Sequence, residues 1–210
     1  FEPVAMISDT GPFVISVTPS LPVKTLPELI AYGKANPGKL SYAVDTTSGY
    51  GVVVGRLLNT RGKIGMVEVP YRATPQMLQD TASGTIQVVI NVYGAVYGFA
   101  KSGKVRPIAI SSARRFTGSP DLATIGEVLP GFEIDGWLCI VAPTGTHTDM
   151  VNRLSREIDQ FLHKPETQQR LLSLGLATAG TNTPESTGQF IRKEEDKWRV
   201  LAKELDLKPQ

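Results

Sequence analysis

Between residues 40 and 110 the chain alternates short apolar runs with single helix-like segments, and this alternation constrains the fold more than any other feature. Residues 40–44, 66–69, 86–90 and 105–110 read as strands, separated by helical segments at about 51–59, 75–82 and 95–101. Pro75 suits a first helical position, and Ser83-Gly84 and Ser102-Gly103 act as stops. Strands joined through single helices form βαβ units with right-handed crossovers, so the spacing predicts an α/β fold with a mostly parallel sheet. Val88-Val89-Ile90 is apolar without alternation, as expected of a strand covered on both faces. Pro107 puts the first part of the last run at an edge or outside the ladder.

In an open α/β sheet the strand-to-helix loops emerge together at the carboxyl edge, where ligands bind. Three predicted loops share that edge, at 45–49, 71–74 and 91–94, and all are small or polar. The first holds Asp45, Thr46, Thr47, Ser48 and Gly49 between a strand and a helix start, where unpaired N–H groups and the positive end of the helix dipole favour an anion. These residues either bind a small anion or only cap the following helix. Among Tyr71, Arg72, Ala73 and Thr74, the arginine suits a bidentate carboxylate pair or is a surface charge beside a turn. Asn91 both donates and accepts, while Tyr71 and Tyr93 are either walls for a ligand or ordinary core. A helix terminus contributes roughly 0.3–1 kcal/mol, up to ~2 when partly buried, against ~8 kcal/mol for a micromolar complex, so a second wall is expected.

The flanks bound the function. Lys and Arg total 22 against 20 Asp and Glu, with no basic run interleaved with aromatics, which argues against nucleic acid. Cys139, within an apolar run, suits a buried structural thiol, and no run approaches the ~18 apolar residues of a membrane span. No charged leader or initiator Met precedes Phe1, so the natural start is expected upstream. Residues 1–17 read as one or two strands around a turn-prone Ser8-Asp9-Thr10-Gly11-Pro12, and Thr25 to Glu28 as a capping box. Beyond residue 111 come a polar loop at 113–120, a short helix at 124–129, a long strand at 132–141 and a joint at 142–145. Three helices follow, at about 148–163, from Pro165 to Gly175, and from Pro184 onward. Met150, Leu154, Ile158 and Phe161 form the apolar face of the first, with little sheet left for these helices to cover.

A search for catalytic chemistry finds none. His147 and His163 lie near opposite ends of one helix, too far apart for an i, i+4 metal pair, and suit helix-end capping or exposure. Asp45 and Asp135 stand without a visible acid–base partner, and no nucleophile-elbow, zinc-helix or phosphate-loop motif occurs. The reading is a binding protein rather than an enzyme.

Several blocks in fixed order carry a family resemblance: FEPVAMI, FVISVTPSLPVKTLPELIAYGKANPGKLSYA, VEVPYR, SGTIQ, KSGKVRPIAISSARR, LPGFEIDGW, VAPTGT and a closing LDLKPQ. Together they resemble the solute-binding proteins of tripartite tricarboxylate transporters, the Bug (Bordetella uptake gene) receptor family. The resemblance implies a periplasmic-binding-protein-like fold and a non-enzymatic periplasmic receptor. Such a receptor clamps a small carboxylated solute, needs no cofactor, and delivers its cargo to the membrane components of the transporter.

Carried over by position, the family's Gly/Ser-rich ligand loop falls on 44–49, its VPYKG loop on 69–73 and its strand-end acid on Asn91. This chain departs with Asp45, Thr46 and Thr47 in the loop, Val52 for the usual His, Arg72 for Lys, and Asn91 for the acid. An Asp in the loop repels a second carboxylate, and Asn91 removes a partner for an ammonium group. By the same resemblance the chain lacks about the first hundred residues of the family. Residues 18–137 then form one complete lobe, and 1–17 with 138–210 an incomplete second lobe contributing C-terminal helices. Either the chain is a fragment, or a second copy completes the partial lobe as a homo-oligomer. Two further readings share the plan: an α/β enzyme acting on a phosphorylated substrate, and the effector-binding domain of a regulator.

Overall fold

A computed structural model describes residues 1–45, 49–178, 180 and 182–206. The chain divides into two units, one of Gly11–Gly136 and one of Phe1–Thr10 with the chain from Trp137 onward. Strands β1 (Glu2–Val17) and β6 (Asp135–Ala142) pair with each other, and each contributes residues to both units. The first division falls at Thr10/Gly11 rather than at residue 18. Residues 13–17 are central to the sheet of the larger unit, paired on both sides.

The larger unit continues through α1 (Leu26–Ala35), β2 (Ser41–Asp45), α2 (Tyr50–Gly62), β3 (Val67–Tyr71), α3 (Thr74–Ser83), β4 (Val88–Val92), α4 (Tyr93–Lys101) and β5 (Arg106–Ile110). A 3-10 turn at Ile125–Glu127 precedes β6. Strand order is β3-β2-β4-β1-β5, with β2 parallel to both β3 and β4 and β1 antiparallel to β4 and β5. The alternation in the sequence thus yields the parallel core it predicts. Val88, Val89 and Ile90 are fully buried, as are Ala43 and Val44 beside them. Pro107 sits where the β1–β5 register shifts, a place where a missing N–H is tolerated.

Helix α1 starts as expected at Thr25, whose hydroxyl accepts from the Glu28 N–H, while the Glu28 carboxylate takes the N–H of Lys24. Helix α2 packs closely on β2, because Gly55 leaves room for the buried Tyr42 ring; an added Cβ would lie 2.1 Å from Tyr42 Cε2. Tyr42 donates to Glu68 at 2.6 Å, and Arg56 closes a two-pronged pair on the same carboxylate. Burial, then the Glu68 contact, pushes the Tyr42 hydroxyl far above its ordinary value.

Residues 1–17 do not turn at Ser8 to Pro12 but form one strand of 16 residues from Glu2. The extended course is stabilised by a distant partner: Thr10 and Ala177 exchange backbone hydrogen bonds at 3.3 and 2.9 Å, and Ser8 Oγ donates to the Ala177 carbonyl at 2.7 Å. That pairing satisfies the polar groups a turn would otherwise have served.

The smaller unit holds α5 (Thr148–Leu162), α6 (Pro165–Ser173) and α7 (Pro184–Glu204). Val4 and Ala5 pack with Val151, Ala142 and Ile158, and Trp137 meets Phe190 edge-on at 5.8 Å. The buried stripe of α5 is Val151, Ser155 and Leu162, one position away from the predicted face. Met150, Leu154 and Phe161 are exposed. His163 caps the end of α5, with Nδ1 at 2.7 Å from the Asp159 carbonyl, and His147 takes the N-cap position without a side-chain bond. Among the described residues no helix is long and apolar enough to cross a membrane.

Candidate functional site

The parallel order β3-β2-β4 puts three strand ends side by side. Asp45, the last residue of β2, is in register with Tyr71 at the end of β3, and Val44 with Ile90, so Asp45 ends its strand beside Asn91. Helices α2, α3 and α4 begin at this edge. Gly51 sets how near α2 comes, since a Cβ there would lie 3.3 Å from the Ile90 carbonyl oxygen. Gly49 supplies the N-cap with φ +66°, a left-handed conformation that a residue without a Cβ adopts readily.

Polar side chains link the three strand ends. Thr74, the first residue of α3, donates its hydroxyl to Asp45 Oδ2 at 3.1 Å. Asn91 is 6% exposed, and its Nδ2 approaches Thr74 Oγ1 at 3.5 Å. Its Oδ1 accepts from the Val92 N–H at 2.7 Å, which fixes the amide with its donor end toward Thr74. Arg72 and Ala73 are exposed on the connection between β3 and α3, and Arg72 forms no ion pair among the described residues.

The helix starts at this edge differ from the rest. None of α2, α3 and α4 has an acidic residue in its first turn or a side-chain cap. The four other described α-helices each carry one acid there: Glu28, Asp149, Glu166 and Glu185. Acids stabilise a helix N-terminus, so first turns without them leave the N–H groups and dipole available to an external anion.

Of the residues singled out in the sequence, Asp45, Thr74 and Asn91 come together, with Gly49, Arg72 and Ala73 on the same edge. Thr46, Thr47 and Ser48 lie outside the described residues. Both tyrosine hydroxyls are engaged in packing rather than offered at this edge. Tyr71 donates to Asp80 of α3 at 2.7 Å, and burial followed by that contact pushes its hydroxyl up to about 12. Tyr93 donates to the Gly118 carbonyl at 2.9 Å, and its ring packs against Phe116 and Tyr97. The predicted loop at 91–94 is also absent as a loop, because β4 runs into α4 with Val92 as the only junction. This continuity places Tyr93 on the helix, facing Phe116.

Tyr50 escaped the sequence reading. It opens α2 and stacks on Phe13 of β1 at 5.8 Å between ring centroids, with only 5° between ring planes. Its signal was an aromatic residue immediately after the small-residue loop. A cavity of about 520 Å³ in the smaller unit is a weaker candidate for an anion. Glu2, Glu185 and Arg192 are among its lining residues. Among the described residues no group of three His, Cys, Asp or Glu is placed to hold a metal ion.

Residues 1–207 match the model of the tripartite tricarboxylate transporter family receptor, TctC. The chain belongs to this receptor family. A relative described as the UPF0065 protein in the tcbD-tcbE intergenic region of Pseudomonas sp. (strain P51) is 30% identical over 99% of the chain and 62% of its own length. Among solved structures, R. palustris Rpa4515 with adipate is 30% identical with a TM-score of 0.87, covering all of the chain and 70% of that protein. MatC (Rpa3494) from Rhodopseudomonas palustris with bound malate is 25% identical with a TM-score of 0.79, over 96% of the chain and 69% of that protein. The chain spans about three fifths of the length of the curated relatives it matches. As a TctC-family chain it has a mixed α/β fold of the periplasmic binding protein kind.

Proposed function

We propose that this chain is the ligand-binding part of a periplasmic receptor that captures a small carboxylate and delivers it to the membrane components of a tripartite tricarboxylate transporter. Its unit of residues 11–136 carries the carboxylate site at the ends of β2, β3 and β4. The observation that carries the reading is the set of three adjacent helix starts, all without first-turn acids, with Arg72 on the connection between β3 and α3 forming no ion pair among the described residues. The adipate and malate in two related structures are carboxylates and support it. Binding and release without bond-making need nothing beyond these donors, in keeping with a receptor family.

Isothermal titration of the protein against a panel of mono- and dicarboxylates tests the proposal. One or more should bind, and Arg72→Ala should weaken that binding by roughly tenfold, the value of one charge-assisted hydrogen bond of ~1.5 kcal/mol. No heat from any carboxylate at concentrations far above micromolar would reject it.

A further inference from the structure

Helix α2 begins without the device that fixes the starts of α1 and α7. There Thr25 accepts the Glu28 N–H and Thr183 accepts the Ser186 N–H. A cap of that kind steadies the first turn and consumes one of its donors in doing so. The N-cap of α2 is Gly49, which has no side chain to accept an N–H, and no acid stands in the first turn. The first hydrogen bond inside α2 runs from the Val53 N–H to the Gly49 carbonyl at 3.1 Å. Gly51 and Val52 precede it, so the helix holds no carbonyl for their N–H groups.

An apolar contact holds this turn instead. The Tyr50 ring stacks on the Phe13 ring, with 5.8 Å between centroids and 5° between planes, and Phe13 is 3% exposed. Phe13 is itself firmly placed. It sits opposite Val92 in the β1–β4 ladder, its N–H donates to Ser111 Oγ at 2.9 Å, and its carbonyl accepts from the Ser111 N–H at 2.9 Å. The stack thus ties the start of α2 to a strand that runs beside the end of β4. We infer that Tyr50 is a positioning residue for the carboxylate site: stacked on Phe13, it holds the first turn of α2 at the strand ends and leaves that turn's N–H groups to the ligand. An aromatic pair needs no first-turn donor, whereas a capping Ser or Asp would occupy one and an Asp would also repel an anion. The inference rests on the carboxylate-receptor reading above and concerns how the site is kept ready, not what it takes. A site whose competent form is present for only a fraction of the time binds more weakly by that fraction. Loss of the stack releases the turn by roughly three- to tenfold, and affinity falls by the same factor.

Isothermal titration of the full chain with succinate, malate and adipate as probes tests this. Tyr50→Leu and Phe13→Leu should each weaken binding by roughly three- to tenfold, and the double variant should bind about as well as either, since both remove one contact. Tyr50→Phe keeps the ring and deletes the hydroxyl, so its affinity should stay within about twofold of the unaltered protein. Amide hydrogen exchange of the free protein supplies a second readout. The Val53 amide should exchange faster in the leucine variants by the factor that affinity loses, with the amides of α1 unchanged. Ile108→Val, a buried change in β5, should lower the melting temperature and leave affinity where it was. Should Phe13→Leu fail to fold, the comparison of Tyr50→Leu with Tyr50→Phe decides alone. A Tyr50→Phe variant as weak as Tyr50→Leu would assign the role to the hydroxyl and overturn the inference. So would a lowered melting temperature with unchanged affinity in Tyr50→Leu, the mark of ordinary packing; both results leave the receptor reading intact. Absence of binding by the unaltered protein to all of these acids overturns that reading, and the inference with it.

Discussion

Removing the Thr74 hydroxyl tests whether the three strand ends form one connected polar unit. Thr74→Val keeps the volume and branching of the side chain but deletes the donor to Asp45 at 3.1 Å and the acceptor for Asn91 at 3.5 Å. A hydrogen bond to a charged group is worth ~1.5–3 kcal/mol, and the lower end applies because Asp45 and Thr74 are only half-buried and water can replace the lost partner. The longer contact lies at the limit of hydrogen-bond geometry and adds little. The expected loss is therefore about 1–1.5 kcal/mol for the larger unit, a fall in Tm of roughly 3–6 °C for a unit of this size. Asp45→Asn alone should cost a similar amount, and the double variant little more than either, leaving a coupling energy of about 1 kcal/mol. Urea unfolding read by two probes isolates the effect. Both tryptophans, Trp137 and Trp198, lie in the smaller unit, whereas Tyr32, Tyr42, Tyr50, Tyr71, Tyr93 and Tyr97 all lie in the larger. The tyrosine absorbance transition should shift and the tryptophan fluorescence transition should not. Effects that add to within ~0.3–0.5 kcal/mol would show that Asp45 and Thr74 do not interact, and the linked edge would fall with them.

Two further outcomes follow from the packing of the same unit. Gly55→Ala places a methyl group on the buried Tyr42 ring and should destabilise by about 3 kcal/mol in the tyrosine-monitored transition, whereas Gly98→Ala in α4, with nothing within 4 Å of the new Cβ, should be neutral or stabilising by up to ~1 kcal/mol. The Tyr71 hydroxyl, raised from 10.0 to about 12, favours the neutral form in the folded state, so its contribution is complete below pH 10 and is lost as pH rises from 10 to 12. Tyr71→Phe should flatten that part of a stability-against-pH curve, and an unchanged alkaline limb would show that burial and the Asp80 contact do not raise this hydroxyl in solution.

The parallel core was legible in the sequence because strands covered on both faces must be apolar throughout, and Val88-Val89-Ile90 follows that rule between clear Gly and Pro stops. The convergence of Asp45, Thr74 and Asn91 was legible for the same reason: parallel topology alone fixes which loops share an edge. The course of β1 was not, since Ser8 to Pro12 has turn chemistry and its extended form depends on Ala177, far along the chain. The buried face of α5 was misread because Met150, Leu154 and Phe161 have the same period as Val151, Ser155 and Leu162, and hydropathy favoured the stripe without the serine. Tyr71 and Tyr93 were placed at the correct edge, but their hydroxyl partners, Asp80 and Gly118, are chosen by packing and leave no mark in local sequence.

The most direct test of the strand-end site is a titration followed by amide chemical shifts. A carboxylate that binds, added to the isotope-labelled protein, should move the amide resonances of Asp45, Gly49, Tyr50, Thr74, Asn91 and Val92 in proportion to occupancy. The amides around Phe116 and Gly118, and those lining the Glu2–Glu185 cavity, should stay in place. Shifts confined to those other positions, with the ends of β2, β3 and β4 silent, would contradict the account.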